Sequence, residues 1–166
     1  MKKTLLLITF LISLTSVFAQ TVPCTWLNGS SVFNATASYG SPGTSSSTNV
    51  PGVRENAMMW SDGQNTIWLF GGHGYNASTN QGSLNDLWKY STATSQWTWM
   101  SGTAGLNNAG VYGSKGVASS SNIPPNRQNA VTWMDASGNL WMFGGQTTGT
   151  NLFLNDLWKY DVSSGN

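Results

Sequence analysis

Charge is scarce in this chain. Lys, Arg, Asp and Glu make up 8% of 166 residues, seven basic against six acidic, so the basic footprint by which proteins hold nucleic acid is missing. Cysteine is scarcer still. Cys24 stands alone, so no disulfide can form within the chain, and its thiol is either free or paired with something outside this sequence. A lipid anchor at Cys24 fits poorly, because Pro23 occupies the place where a lipobox carries a small residue. With one histidine, His73, no Cys/His zinc pattern arises, and no EF-hand spacing, P-loop or nucleophile motif appears. Neither a metal nor an organic cofactor is expected.

Long apolar runs are also missing, with one exception. Leu5 to Leu14 is apolar apart from Thr9 and Ser13, follows Lys2 and Lys3, and precedes Val17-Phe18-Ala19. Spanning a bilayer takes roughly 20 apolar residues, so this run is too short. The pattern is that of a secretory signal peptide over residues 1–19, cut before Gln20; an uncleaved anchor is the alternative. The expectation is an exported protein (secreted, periplasmic or cell-surface) with no membrane span after cleavage. The remaining 147 residues hold five basic and six acidic side chains, close to neutrality.

What the chain has in excess is tryptophan and glycine. All nine Trp lie beyond the leader, among 19 Gly and many Ser, Thr and Asn. Disordered chains are poor in aromatics, whereas short strands joined by Gly-rich turns suit this composition.

The sequence repeats itself. An offset of 73 links Trp26 to Trp99, Tyr39 to Tyr112, Pro51 to Pro124, Arg54 to Arg127, Trp60 to Trp133, Trp68 to Trp141 and Phe70 to Phe143. After Gly71-Gly72 and Gly144-Gly145 the offset falls to 70, and Asn85-Asp86-Leu87-Trp88-Lys89-Tyr90 recurs unchanged as Asn155-Asp156-Leu157-Trp158-Lys159-Tyr160. A loop between the glycine pair and this motif absorbs the three-residue difference.

Each copy divides into runs with strand character. Run one is Arg54 to Trp60, matched by Arg127 to Met134. Turns at Asp62-Gly63 and Asp135-Ala136-Ser137-Gly138 follow, with Gly free to take positive φ. Run two is Thr66 to Phe70, matched by Asn139 to Phe143, and the glycine pair ends it. Run three is Asp86 to Tyr90, matched by Asp156 to Tyr160. Run four is Gln96 to Met100, with Trp97 and Trp99 on one face. The prediction is an all-β fold of about two four-stranded antiparallel sheets, with the tryptophans filling the space between them.

These residues resemble the kelch family. The resemblance rests on Leu69-Phe70-Gly71-Gly72 and Met142-Phe143-Gly144-Gly145, on the Asn-Asp-Leu-Trp-x-Tyr motif and on the trailing Trp97 and Trp99, and it covers residues 24–166. It implies a β-propeller, whose blades are such sheets. Kelch repeats are about 50 residues, and these are longer because of linkers rich in Gly, Ser and Asn before Arg54 and Arg127, with Tyr-Gly-Ser-x-Gly at Tyr39 to Gly43 and Tyr112 to Gly116.

The division expected is a leader at 1–19, a run-four strand and linker at 20–53, and a first blade at 54–100. A long connection at 101–126 then leads to a second blade at 127–166 without its fourth run. Two blades do not close a ring of about 4–8, so the chain reads as a truncated ring whose partners are the missing blades. The alternative is that residues 24–26 complete the last blade, three chains making six blades.

Antiparallel order puts loops 2–3 (His73 to Leu84, Gln146 to Leu154) and 4–1 (Ser101 to Asn126 and its earlier twin) on one side, where loops on a rigid scaffold carry function. Candidate ligand contacts there are His73, Tyr75, Tyr39 and Tyr112, and exposed aromatics beside Asn and Ser suit sugar rings. Because Tyr39 and Tyr112 recur per repeat, a packing role is the competing reading. Arg54, Arg127, Asp86, Asp156, Trp88, Trp158 and the glycines 71, 72, 144 and 145 read as structural, each Asp capping backbone amides or pairing with an Arg. The resulting expectation is a non-catalytic module for an unidentified glycan or protein ligand. Two alternatives stand beside it. One is a purely structural surface array. The other, implied by the resemblance, is part of a copper-radical oxidase similar to galactose oxidase, whose copper takes two His and two Tyr, one Tyr linked to Cys, and whose site would lie outside this chain.

Overall fold

In the computed structural model residues 22–147 and 152–165 are described. The leader expected at 1–19 and part of the loop expected at 146–154 fall outside them. The described residues contain no helix. Their strands are β1 (Ser45–Ser46), β2 (Arg54–Glu55), β3 (Met58–Ser61), β4 (Thr66–Phe70), β5 (His73–Tyr75), β6 (Gln81–Ser83), β7 (Leu87–Ser91), β8 (Gln96–Ser101), β9 (Val131–Met134), β10 (Leu140–Phe143) and β11 (Leu157–Tyr160). The chain is all-β, in three antiparallel sheets ordered β1-β8-β7-β4-β3, β11-β10-β9 and β2-β5-β6.

The first sheet holds runs two to four of the first repeat with the later part of run one, and the second sheet holds runs two and three of the next with the later part of its run one. Their hairpin turns are built alike. The Asp62 carboxylate accepts from the Gln64 and Thr66 amides at 2.9 Å, and Asp135 accepts from Ser137 and Asn139 at 2.9 and 3.0 Å. Period-2 alternation sends Met58, Trp60, Trp68, Phe70 and Leu87 to one face of the first sheet, where they meet Leu140 and Met142 of the second in one core. The Trp60 indole N–H is buried here and donates to the Trp133 and Trp141 carbonyls at 3.1 and 3.0 Å, which satisfies the one polar group a buried tryptophan brings.

Four expectations change. Run one is not a single strand, because Asn56 and Asn129 sit at φ 54° and 58°. Asparagine tolerates this left-handed conformation better than other side-chain-bearing residues. The turn detaches Arg54–Glu55 from β3 and hands them to β5 in another sheet. The segment His73 to Leu84 is not an open loop but the hairpin β5–β6, with His73 opposite Ser83 and Tyr75 opposite Gln81. The linker before Arg54 contributes β1, which pairs Ser45 and Ser46 with Thr98 and Trp97. The run-four strand expected at 24–26 is not formed: residues 22–27 carry no strand. Both edges of β7 are already taken, by β4 and β8, so the first sheet offers that segment no third-run partner.

Candidate functional site

The residues that recur most strictly form a closed polar cluster. The Arg54 guanidinium donates to both oxygens of Asp86, at 2.6 and 2.9 Å, and to the Gly71 carbonyl at 3.0 Å. Asp86 Oδ2 also accepts from the Trp88 indole and the Tyr39 hydroxyl, each at 2.8 Å. Asp86 and Trp88 are fully buried, and a buried carboxylate is tolerated when paired and fully hydrogen-bonded.

The second repeat has the same cluster. Arg127 donates to Asp156 at 2.7 Å through both terminal nitrogens and to the Gly144 carbonyl at 2.8 Å, while Trp158 and Tyr112 donate to Asp156 Oδ2 at 2.7 Å. Burial works against ionisation of Asp156, but the Arg127, Trp158 and Tyr112 donors outweigh it and bring its pKa down to about 2.

The two tyrosines therefore hold equivalent places in unequal surroundings. Tyr39 is 7% exposed, with its ring 5.0 Å from those of Trp88 and Trp99. Burial first, and then the Asp86 carboxylate, pushes its phenol far up. Tyr39 is thus not presented as a ligand contact: its hydroxyl donates to Asp86 and its ring packs against Trp88 and Trp99. Tyr112 is 51% exposed and packs on Trp158, with burial and Asp156 raising its phenol as well.

His73 and Tyr75 flank Gly74, which stands opposite Arg54 of the first cluster, and they share one side of β5. The third sheet places Glu55 opposite His73 on one flank and Gln81 opposite Tyr75 on the other, and Gln81 Nε2 donates to the Tyr75 hydroxyl at 2.8 Å. His73 and Tyr75 are half-buried, Glu55 and Gln81 exposed. The linkers hold this sheet in place: Ala37 N–H donates to the Asn76 carbonyl at 2.9 Å, Asn76 Nδ2 to the Ala104 carbonyl at 2.8 Å, and Ser83 N–H to Asn107 Oδ1 at 3.0 Å. Glu55 and Gln81 escape a reading of the sequence because their place depends on hairpin register. The near-symmetric His-Gly-Tyr and Gln-Gly-Ser about Asn76 to Asn80 was the available signal.

Among the described residues no group of three or more His, Cys, Asp and Glu is placed to hold a metal. The donor set also does not fit a copper site of two His and two Tyr, since the chain has one His and the Tyr39 and Tyr112 hydroxyls are held by carboxylates. Among the described residues no helix is long and apolar enough to cross a membrane. Compared with known proteins, the chain matches no family model and no curated protein.

Proposed function

We propose that this chain is an exported kelch-type propeller segment that binds a glycan without chemistry, through the β2-β5-β6 sheet. One observation carries the reading: a half-buried aromatic ring, Tyr75, shares one side of a small three-stranded sheet with His73, Gln81 and Glu55. A sugar presents an apolar ring face edged with hydroxyls. An aromatic face with an amide and a carboxylate beside it supplies both stacking and hydrogen-bond partners. The repeat and the two stacked antiparallel sheets support the propeller part of the proposal. The strictly repeated ionic residues are consumed by structure, which favours binding over catalysis.

The test is a glycan array probed with the purified protein, followed by titration of the best ligand into Tyr75→Ala and Gln81→Ala. Weakening of at least about tenfold, or 1.4 kcal/mol, with an unchanged urea midpoint supports the patch. Full affinity in both variants, or an array without retention, overturns it.

A further inference from the structure

In a chain with so few charges, an unpaired one stands out. The five aspartates are all engaged: Asp86 and Asp156 by arginines, Asp62 and Asp135 by their own turns, and Asp161 by Ser163 and Ser164. Glu55, the sixth acidic residue, is exposed, and among the described residues no donor or cation meets its carboxylate. It stands opposite His73 and diagonal to Tyr75, on the side of the third sheet that those two side chains share. Diagonal neighbours in antiparallel strands lie about 7–8 Å apart, within reach of long and aromatic side chains.

The other side of this sheet is closed. Gly74 stands opposite both Arg54 and Gly82, and both glycines are buried. A Cβ on Gly82 would lie 3.0 Å from Asn107 Oδ1 and 3.1 Å from Leu106 Cβ, and one on Gly74 would collide with the Val53 carbonyl. Arg54, on that closed side, spends its guanidinium on Asp86. A ligand therefore meets the sheet from the side of Glu55, Tyr75 and Gln81, and none of the sheet's residues on that side is Lys or Arg.

A second acceptor belongs to the same corner. Gln128 is the repeat equivalent of Glu55, 73 residues on, and it bridges Gln146 as Glu55 pairs with His73. Its two neighbours are fastened to the residues that adjoin His73 and Glu55. Gly72 N–H donates to the Arg127 carbonyl at 2.8 Å, and Asn129 N–H donates to the Asn56 carbonyl at 3.1 Å. Gln128 is 9% exposed, and its side-chain Oε1 is buried with no hydrogen-bond partner among the described residues. Buried polar atoms are normally paired. An acceptor without a donor adds to the negative potential of its surroundings, and these surroundings already hold an unpaired carboxylate.

We infer that the glycan held by the β2-β5-β6 sheet carries a free amino group, as a 2-amino-2-deoxy sugar does, and that Glu55 receives it. The inference rests on the glycan reading above and narrows it. A protonated amine brings three N–H donors and a positive charge. The Glu55 carboxylate accepts charge-assisted hydrogen bonds from such a group, and the Tyr75 ring face attracts a cation. Gln81 fixes the Tyr75 hydroxyl and leaves the ring to stack. A sugar lying on that ring carries its amino group across the diagonal to Glu55. The N-acetylated form of the same sugar replaces the charge with a neutral amide and brings a carbonyl oxygen towards the carboxylate. The corner thus discriminates by repulsion as well as attraction.

The experiment is calorimetric titration of a glucosamine oligomer, and of its fully N-acetylated counterpart, into the unaltered protein and into Glu55→Gln. Glu55 is exposed, so the fold survives this change, and a urea midpoint checks that it does. The unaltered protein is expected to hold the amino form at least about tenfold more tightly than the acetylated one, with added salt weakening the amino form alone. In Glu55→Gln the two forms are expected to bind alike. Equal affinity of the unaltered protein for both forms overturns the inference, as does a preference that survives Glu55→Gln. Poly-lysine held as tightly as the amino oligomer also overturns it, because charge without a sugar ring then suffices. Glycans retained on the array without a preference for the amine overturn this inference alone, whereas an array without retention overturns the glycan reading with it.

Discussion

Arg54 meets Asp86 with two nearly parallel hydrogen bonds, of 2.6 and 2.9 Å, at a side-chain exposure of 6% for the arginine and 0% for the aspartate. The pair ties the start of a repeat to its third strand, 32 residues on. It also pins the carbonyl of Gly71, where the second strand ends. Three chain segments are thus held by one planar group, which a lysine's point charge does not replicate.

Removing one partner of a buried ion pair strands the other in a dry site, at about 3–5 kcal/mol. Asp86→Asn is therefore expected to lower stability by that order and Arg54→Lys by less, read from urea midpoints at unchanged slope. Asp156→Asn is expected to cost less than Asp86→Asn at pH 7, since Asp156 lies nearer solvent.

The tyrosines offer a matched comparison. Each donates to its aspartate, but Tyr39 does so under two indoles and Tyr112 at the surface. A hydrogen bond to a charged group contributes about 1.5–3 kcal/mol, so Tyr39→Phe is expected to lose an amount in that range and Tyr112→Phe well under half as much. Tyr39 also has its phenol pKa raised by folding. The unfolded chain ionises first, so stability falls as pH rises above about 10, and Tyr39→Phe is expected to flatten that alkaline limb.

Acid has the opposite sign. Folding lowers Asp156 from 3.8 to about 2, so its contribution is complete above the unfolded value and is lost as pH falls through the folded one. Linkage sets about 2 kcal/mol as the ceiling of that contribution, and solvent beside this partly exposed carboxylate screens it to less. Asp156→Asn is expected to be less sensitive than the unaltered protein between about pH 4 and 2, measured by urea midpoint against pH.

Two glycines separate backbone strain from close approach. Both lie at positive φ, Gly63 at 71° and Gly71 at 62°. A Cβ on Gly63 meets open space, whereas one on Gly71 falls 2.6 Å from the Arg127 carbonyl oxygen and 2.9 Å from that of Leu84. Gly63→Ala is expected to cost only the left-handed penalty of about 1–2 kcal/mol. Gly71→Ala is expected to cost more, since two backbone segments must also move, and thermal unfolding of the two variants decides this.

Much of the fold is legible in the residues themselves. The 73-residue offset, the period-2 alternation and the glycine-ended runs place β4, β7, β8 and β10 to within a residue or so, because these signals are local and occur twice. The alternation also assigns Trp97 and Trp99 to one face before any neighbour is known, and both pack against the cluster of Ala37, Tyr39 and Trp88. Pairing Asp86 with Arg54 was one of two options left open by charge scarcity, since a carboxylate beside Leu-Trp has few other cations to meet.

What only the tertiary structure decided are properties of register and neighbourhood. Asn56 breaks run one, and nothing short-ranged distinguishes an asparagine within a strand from one that turns the strand away. Glu55 and Gln81 join Tyr75 only through pairing across β5. Tyr39 and Tyr112 are the same residue in the same motif, yet one is sealed and the other open, because β8 lies over the first cluster and no described strand lies over the second. The residue types determine which bonds each cluster makes; what packs on the cluster determines whether it faces solvent.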